Sequence, residues 1–369
     1  MPPTLPGGTR TADLEPGVAR LLGVPVESLE VGVVEPVAHV ATAPTTAGLS
    51  RVSLVARSAD GGCTPVRLVV KVLRPARYGL PPQMPDEARA HLDRTIPWRL
   101  EADVVTGLRP DRFPPGLGLP ALVALSVRDE EVALWQEEVA VHGAPWTAGD
   151  VVRAAGLLGR LAARRAHDPV PWAGPTFVRS FLDDAVRTWA MPLLGAPEAW
   201  DHPEFEAAVA RGLEGPVRAL MADVASDDGP GVAPLAGVPA LPSHGDPTPD
   251  NLLRPAADPG SFVLIDWASA TCAPAGWDVV PLVFGRAEAG RAPAAEAVAV
   301  LPQAVAAYGE GLAEEGHPVD PAALGAAVRA MVRLRYGMTV LPLDALAGSR
   351  ERTSGRDRQA DLVAAVLDL

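Results

Sequence analysis

Ser243-His244-Gly245-Asp246-Pro247-Thr248-Pro249-Asp250-Asn251-Leu252-Leu253 is the densest polar cluster of the chain, and Phe262-Val263-Leu264-Ile265-Asp266-Trp267 follows it after a short loop. The run Phe262 to Ile265 reads as a buried strand that ends in a carboxylate. Leu252-Leu253 and Phe262–Ile265, joined through Pro255, Pro259 and Gly260, read as a hairpin. Such a hairpin brings Asn251 and Asp266 to the same end, with Asp246 a few residues upstream on a rigid loop. Transfer of a phosphoryl group to a hydroxyl asks for this set. One carboxylate orients the hydroxyl and takes its proton; a carboxylate and an amide oxygen hold Mg²⁺ against the phosphates. Asp246 is the candidate base, and Asn251 and Asp266 are the candidate metal ligands. A lone loop aspartate is usually a turn residue. The three together, with the lysine described next, outweigh that reading.

Lysine and arginine total 32, yet Lys71 is the one lysine. Arginine serves wherever else a cation is wanted, so position 71 asks for something a guanidinium does not supply. Ammonium is a compact point charge and guanidinium a wide planar fork. Lys71 ends a strand-like run in which Val66, Leu68, Val70 and Val72 alternate. Period 2 puts Val69 and Lys71 on the face opposite that core set.

The elements that must position these residues are segregated along the chain. Thr11 to Leu22 reads as a helix capped by Thr11 or Asp13, with Leu14, Val18, Leu21 and Leu22 on one face. Arg51–Arg57 and Val66–Val72 are strand-like, with Ser58-Ala59-Asp60-Gly61-Gly62 as their turn. Residues 74 to 97 are proline-rich; a helix is expected from Trp98 to about Leu108 and a strand over Val132–Val139. Thr147 and Asp150 have capping-box spacing at the head of a helix whose stripe is Val151, Ala154, Ala155, Leu158 and Ala162. Strands dominate before about residue 140 and helices after it. The expected organisation is therefore α+β: a β-rich first lobe, residues 1–139, and a mostly helical second lobe, residues 140–369.

Composition narrows the function classes. A chain of 369 residues with 48% hydrophobic and 21% charged side chains is an ordinary globular protein. Its net charge of -13 argues against nonspecific nucleic-acid binding and against an anionic membrane surface. Cys63 and Cys272 form no disulfide framework or zinc pattern. No signal peptide or membrane span is visible, and a cytoplasmic location is expected. Oligomeric state is not legible. A P-loop needs Gly-Lys-Ser/Thr, whereas Lys71 follows Val70; Gly116-Leu117-Gly118 lacks the third glycine of a dinucleotide fingerprint.

His244-Gly245-Asp246-x-x-x-x-Asn251, followed by Ile265-Asp266-Trp267, resembles the signature of aminoglycoside phosphotransferases and of choline- and ecdysteroid-kinase-like enzymes. The resemblance extends from about residue 11 to about 340. It implies a two-lobed, protein-kinase-like fold and an ATP-dependent, Mg²⁺-dependent enzyme. The acceptor it implies is a hydroxyl of a small molecule, an aminoglycoside-like antibiotic or a metabolite. Within it Asp246 is the base, Asn251 and Asp266 bind metal, His244 supports the loop, and Asp278 of Gly276-Trp277-Asp278 braces it. Lys71 corresponds to the nucleotide lysine, Glu101 to its helix partner and Val69 to a residue touching adenine. The segment Leu134 to Val139 resembles the hinge, with Gln136, Glu137 and Val139 around the adenine edge. The phosphate-covering loop is expected around Ala43–Ser50, with Gly48 its single glycine and no GxGxxG. The alternative from another class is a catalytically silent kinase-fold protein that binds nucleotide.

The sole lysine generates a test that owes least to resemblance. Lys71→Arg should keep the fold, because the cleft-facing side of the strand is not its core face, and should cut ATP turnover at least about tenfold, or about 1.4 kcal/mol of transition-state stabilisation. Turnover and thermal melting on one preparation check this; wild-type turnover would make Lys71 an incidental surface residue.

Overall fold

The computed structural model describes residues 5–37, 44–80, 84, 86–168, 177–348 and 355–369. The chain groups into two compact units. The first comprises Met1–Pro110, Gly118–His142 and Leu253–Ala268; the second comprises Asp111–Leu117, Gly143–Leu252 and Ser269–Leu369. Compared with a single cut after residue 139, residues 111–117 count with the second unit, and 140–142 and 253–268 with the first.

The first unit is built on a five-stranded antiparallel sheet of β1 (Ser28–Pro36), β2 (Thr46–Arg57), β3 (Cys63–Leu73), β5 (Leu122–Arg128) and β6 (Glu131–Glu137), in the order β1-β2-β3-β6-β5. Between β3 and β5 in sequence comes the short β4 (Leu117–Gly118), which belongs to a small sheet with β8 (Leu252–Leu253) and β9 (Phe262–Leu264), ordered β4-β9-β8. Alternation decides which face of the large sheet is covered. Val66, Leu68, Val70 and Val72 are buried, as are Val52 and Leu54 of β2, which stand opposite Leu68 and Val66. Each fully buried aliphatic side chain contributes about 1.5–3 kcal/mol. Val69 and Lys71 point the other way and are partly accessible. The Thr11–Leu22 helix buries Leu14, Gly17 and Val18 in the same core. Its cap position is Arg10, one residue before Thr11 and three before Asp13. Asp13 serves as the partner instead, accepting the Arg10 backbone N–H at 3.1 Å.

Three expected boundaries move. The helix expected from Trp98 runs Leu100–Gly107, because Pro97 and the residues after it form a turn. The strand expected to Val139 ends at Glu137. The segment expected to be the phosphate loop is mostly strand: β2 begins at Thr46 and carries a bulge between Thr46 and Gly48. The β1–β2 connection is therefore residues 37–45, of which 38–43, including Ala43, lie outside the described residues.

The second unit is mainly helical. Ala148–Arg164 is capped as expected: the Thr147 hydroxyl accepts the Asp150 N–H, and Asp150 accepts the Thr147 N–H at 2.9 Å. It packs along Ala294–Glu314 at glycine spacing. A Cβ built on Gly159 would lie 2.2 Å from the Tyr308 carbonyl oxygen, and one on Gly311 would lie 2.2 Å from that of Gly156. Further helices are Val279–Glu288, Pro321–Tyr336 and Arg356–Leu367. A two-stranded ribbon pairs β7 (Ala240–Ser243) with β10 (Thr271–Pro274), Ser243 opposite Thr271. That ribbon fixes the point from which the His244–Asn251 loop departs. Trp200 is buried and Trp189 is 39% exposed; Trp172 lies outside the described residues. Both cysteines are free. Among the described residues no helix is long and apolar enough to cross a membrane.

The glycine contacts allow no added carbon without a helix shift. Gly159→Ala should destabilise the second unit by about 1–3 kcal/mol. Denaturant unfolding checks this, with Gly215→Ala, whose added Cβ meets nothing within 4 Å, as the neutral control.

Candidate active site

In the first unit Lys71 is held between two carboxylates. Its Nζ lies 2.7 Å from Glu101 Oε2 and 2.8 Å from Asp266 Oδ1. The side chains of Lys71 and Glu101 are 13% and 4% exposed. Glu101 comes from the first turn of the Leu100–Gly107 helix and also accepts the backbone N–H of Trp267. Burial by itself would disfavour the ammonium; Glu101 and Asp266 outweigh it and hold the lysine above its ordinary range. Asp266 follows β9 with a φ of 60°, a left-handed backbone that few residues other than glycine tolerate and that aspartate accepts through its short polar side chain.

These residues line a cavity of about 360 Å³ that also takes in Val69, Gln136, Glu137 and Val139. Its floor is the uncovered face of the sheet. Leu49 stands opposite Lys71, and Arg51 opposite Val69, which in turn faces Gln136 on β6. Arg51, which the sequence marks only as the start of a strand, and Glu138, inside the hinge-like segment, line the same cavity. Arg51 Nε donates to Glu138 Oε1 at 2.6 Å, and Arg67 Nε lies 2.7 Å from the other oxygen. The signal that could have found Arg51 is parity: it shares a face with Leu49 and, across the ladder, with Val69.

In the second unit the loop after β7 is fixed by buried groups. Asp278, 2% exposed, accepts the backbone N–H groups of His244 at 3.0 Å and Gly245 at 2.9 Å. Burial pushes this carboxyl up to about 6, against the pull of those two donors and of Arg165. Gly245 has a φ of 92°, and a Cβ there would meet the Ser269 carbonyl oxygen at 1.9 Å, so only glycine fits. Its own carbonyl accepts the Trp277 indole N–H at 2.9 Å. His244 is 1% exposed, and its Nδ1 accepts the Asp246 N–H at 3.3 Å.

Asp246 is thus presented by a backbone held through hydrogen bonds, and its carboxylate has partners as well. Arg335 Nη2, from the Pro321–Tyr336 helix, donates to Oδ1 at 2.8 Å. Asn251 Nδ2 donates to the Asp246 carbonyl at 2.9 Å and approaches Oδ2 at 3.3 Å. With its NH₂ spent inward, Asn251 offers its amide oxygen as the remaining donor atom. Burial opposes the charge of Arg335, which Tyr336, Asp246 and Glu288 more than restore. Nothing in the sequence marks Arg335, which lies 89 residues from Asp246. Asp250, beside the motif, is exposed and paired with Arg291. Asp183 is paired with Arg179 and Arg187.

The model of one protein family, the phosphotransferase enzyme family, matches residues 55–318, a span that takes in the lysine strand, the loop and the Asp266 strand. The chain belongs to the phosphotransferase enzyme family. Its fold is the protein-kinase-like α+β fold, with strands concentrated before residue 140 and helices after it. The family is one of small-molecule phosphotransferases. No curated protein matches this sequence. Solved structures similar to it include amicoumacin kinase hAmiN in complex with AMP-PNP, Ca²⁺ and Ami, at 14% identity over 86% of this chain and 85% of that one, with a TM-score of 0.48. A spectinomycin phosphotransferase in complex with ADP and spectinomycin is 13% identical over 95% of both chains, with a TM-score of 0.43. Choline kinase from Cryptosporidium parvum is 12% identical over 98% of this chain and 90% of that one, also at 0.43.

Asp278 generates the test for this loop. In Asp278→Asn one of the two backbone N–H groups faces an NH₂ instead of an acceptor. The variant should unfold about 1–3 kcal/mol more easily, measured by denaturant titration; unchanged stability would show that the loop is held by other contacts.

Proposed function

We propose that this protein transfers the γ-phosphoryl group of ATP to a hydroxyl of a small molecule, an aminoglycoside-like antibiotic or a hydroxylated metabolite. The observation that carries this reading is the ion triplet around the chain's sole lysine on the wall of the first unit's cavity. A buried cation backed by a helix carboxylate is suited to gripping nucleotide phosphates, and Val69, Gln136, Glu137 and Val139 supply an apolar and polar rim for a base.

The acceptor hydroxyl donates its proton to Asp246. Its oxygen forms the new bond to the γ-phosphorus, the bond from that phosphorus to the bridging oxygen breaks, and ADP leaves with the electron pair. Arg335 donates to Oδ1 of Asp246 at 2.8 Å, whereas Oδ2 takes only the longer 3.3 Å contact from Asn251 Nδ2 and keeps a lone pair to offer the hydroxyl. Family membership implies a divalent metal. The residue chemistry suits one: Asp266 in the first unit offers a carboxylate and Asn251 in the second an amide oxygen, each a hard ligand of the kind magnesium accepts alongside water. Among the described residues no cluster of three or more His, Cys, Asp or Glu could hold a metal ion. When bound, magnesium would neutralise charge on the phosphates.

The test is ATP-to-ADP conversion with Mg²⁺ across an unbiased panel of hydroxylated small molecules. Some acceptor should raise turnover well above that in water alone. Asp246→Asn should then lower it by about 10²–10⁴-fold while ADP binding stays within about twofold. A protein that binds ATP and phosphorylates nothing is the silent binding protein instead, and near-normal turnover in the variant removes Asp246 from the base role.

A further inference from the structure

The face of the sheet that floors the cavity is organised in cross-strand rows. Leu49, Lys71 and Leu134 form one row; Arg51, Val69 and Gln136 form the next. If Lys71 marks where phosphates lie, the neighbouring row, which ends at the Gln136–Val139 segment, marks where the base lies. The wall of that second row is half aliphatic, from Val69, and half guanidinium, from Arg51. The Arg51 side chain is 49% exposed, so its guanidinium is open to a ligand on that wall.

Arg51 is also not loose. Its Nε is bonded to Glu138, whose side chain is only 16% exposed and whose second carboxylate oxygen is taken by Arg67. Glu138 further donates its backbone N–H to the Arg67 carbonyl at 3.0 Å. Glu138 sits between Glu137 and Val139, so the carboxylate that anchors Arg51 belongs to the segment along the base edge. Anchoring by Nε restrains the flexible stem of a residue that otherwise loses much rotamer freedom on binding. A planar, delocalised cation held in this way can stack plane to plane on an aromatic face, where an ammonium offers only a point charge.

We infer that Arg51 is the base-recognition residue of the cavity: its guanidinium, anchored by Glu138, packs against the purine ring of the nucleotide opposite Val69. The inference rests on the nucleotide reading above and adds the residue that distinguishes a nucleotide from a bare phosphate chain. It separates two jobs by row, phosphates at Lys71 and base at Arg51.

The experiment is calorimetry of the full chain with Mg²⁺, using ADP and inorganic tripolyphosphate as the two probes. Arg51→Met keeps the length and apolar stem and should weaken ADP about 5- to 10-fold, leaving tripolyphosphate and the melting temperature unchanged. Arg51→Lys keeps the charge without the plane and should behave like the methionine variant. Arg67→Met loosens the same carboxylate from outside the cavity and should leave ADP within about twofold. Equal weakening of ADP and tripolyphosphate in Arg51→Met would make Arg51 a phosphate ligand and overturn the inference. So would wild-type ADP affinity in either Arg51 variant, or an equal loss in Arg67→Met. A wild-type protein that binds no ADP overturns the nucleotide reading itself, and the inference with it.

Discussion

A lysine ammonium with only 13% of its side chain exposed is held between the carboxylates of Glu101 and Asp266, and the inner face of the first unit depends on that contact. An unpaired buried charge would cost several kcal/mol, and removing either partner leaves the other uncompensated. The triplet therefore ties together three pieces of chain that are distant in sequence: β3, the Leu100–Gly107 helix and the turn after β9. It also explains a backbone that would otherwise be hard to account for. Asp266 adopts a left-handed φ, and its Oδ1 lies 2.8 Å from Lys71.

The second unit solves a related problem with the opposite economy. Where the first unit buries a side-chain cation between carboxylates, the loop before Asp246 is held by one buried carboxylate reading two backbone N–H groups. Gly245 and Trp277 complete the brace, the first by having no Cβ and the second by its indole N–H. Asp246 is thus left with a partly accessible carboxylate on a hydrogen-bonded loop, and Arg335 donates to its Oδ1. Preorganisation of this kind keeps a reacting group in place without spending binding energy at the moment of reaction.

Much of this was legible from sequence, for physical reasons that are local. Period-2 alternation around Lys71 is a property of strand geometry, so it separated the core set Val66, Leu68, Val70 and Val72 from Val69 and Lys71 before any fold was known. The Thr147–Asp150 cap is likewise a three-residue affair. The Asp246–Asn251 spacing and the carboxylate after the Phe262 strand are short motifs that pointed to phosphoryl transfer, and the lone lysine stood out by composition alone. Local reasoning misplaced the start of β2, because a bulge at Thr46–Gly48 continues pairing through residues that look like loop. It also chose Thr11 or Asp13 as cap where Arg10 holds the position.

What only tertiary structure decided is which distant charges meet. The approach of Arg335 to Asp246 spans 89 residues and leaves no periodic or compositional trace. The Arg51–Glu138–Arg67 network depends on β2, β3 and the end of β6 lying side by side, an arrangement set by sheet order and not by any one strand's pattern. The burial of Asp278, and with it the rise of its carboxyl to about 6, follows from the helices and ribbon packed around it. Sequence names the residue types that chemistry requires; strand register and helix packing determine which of them share a field strong enough to act.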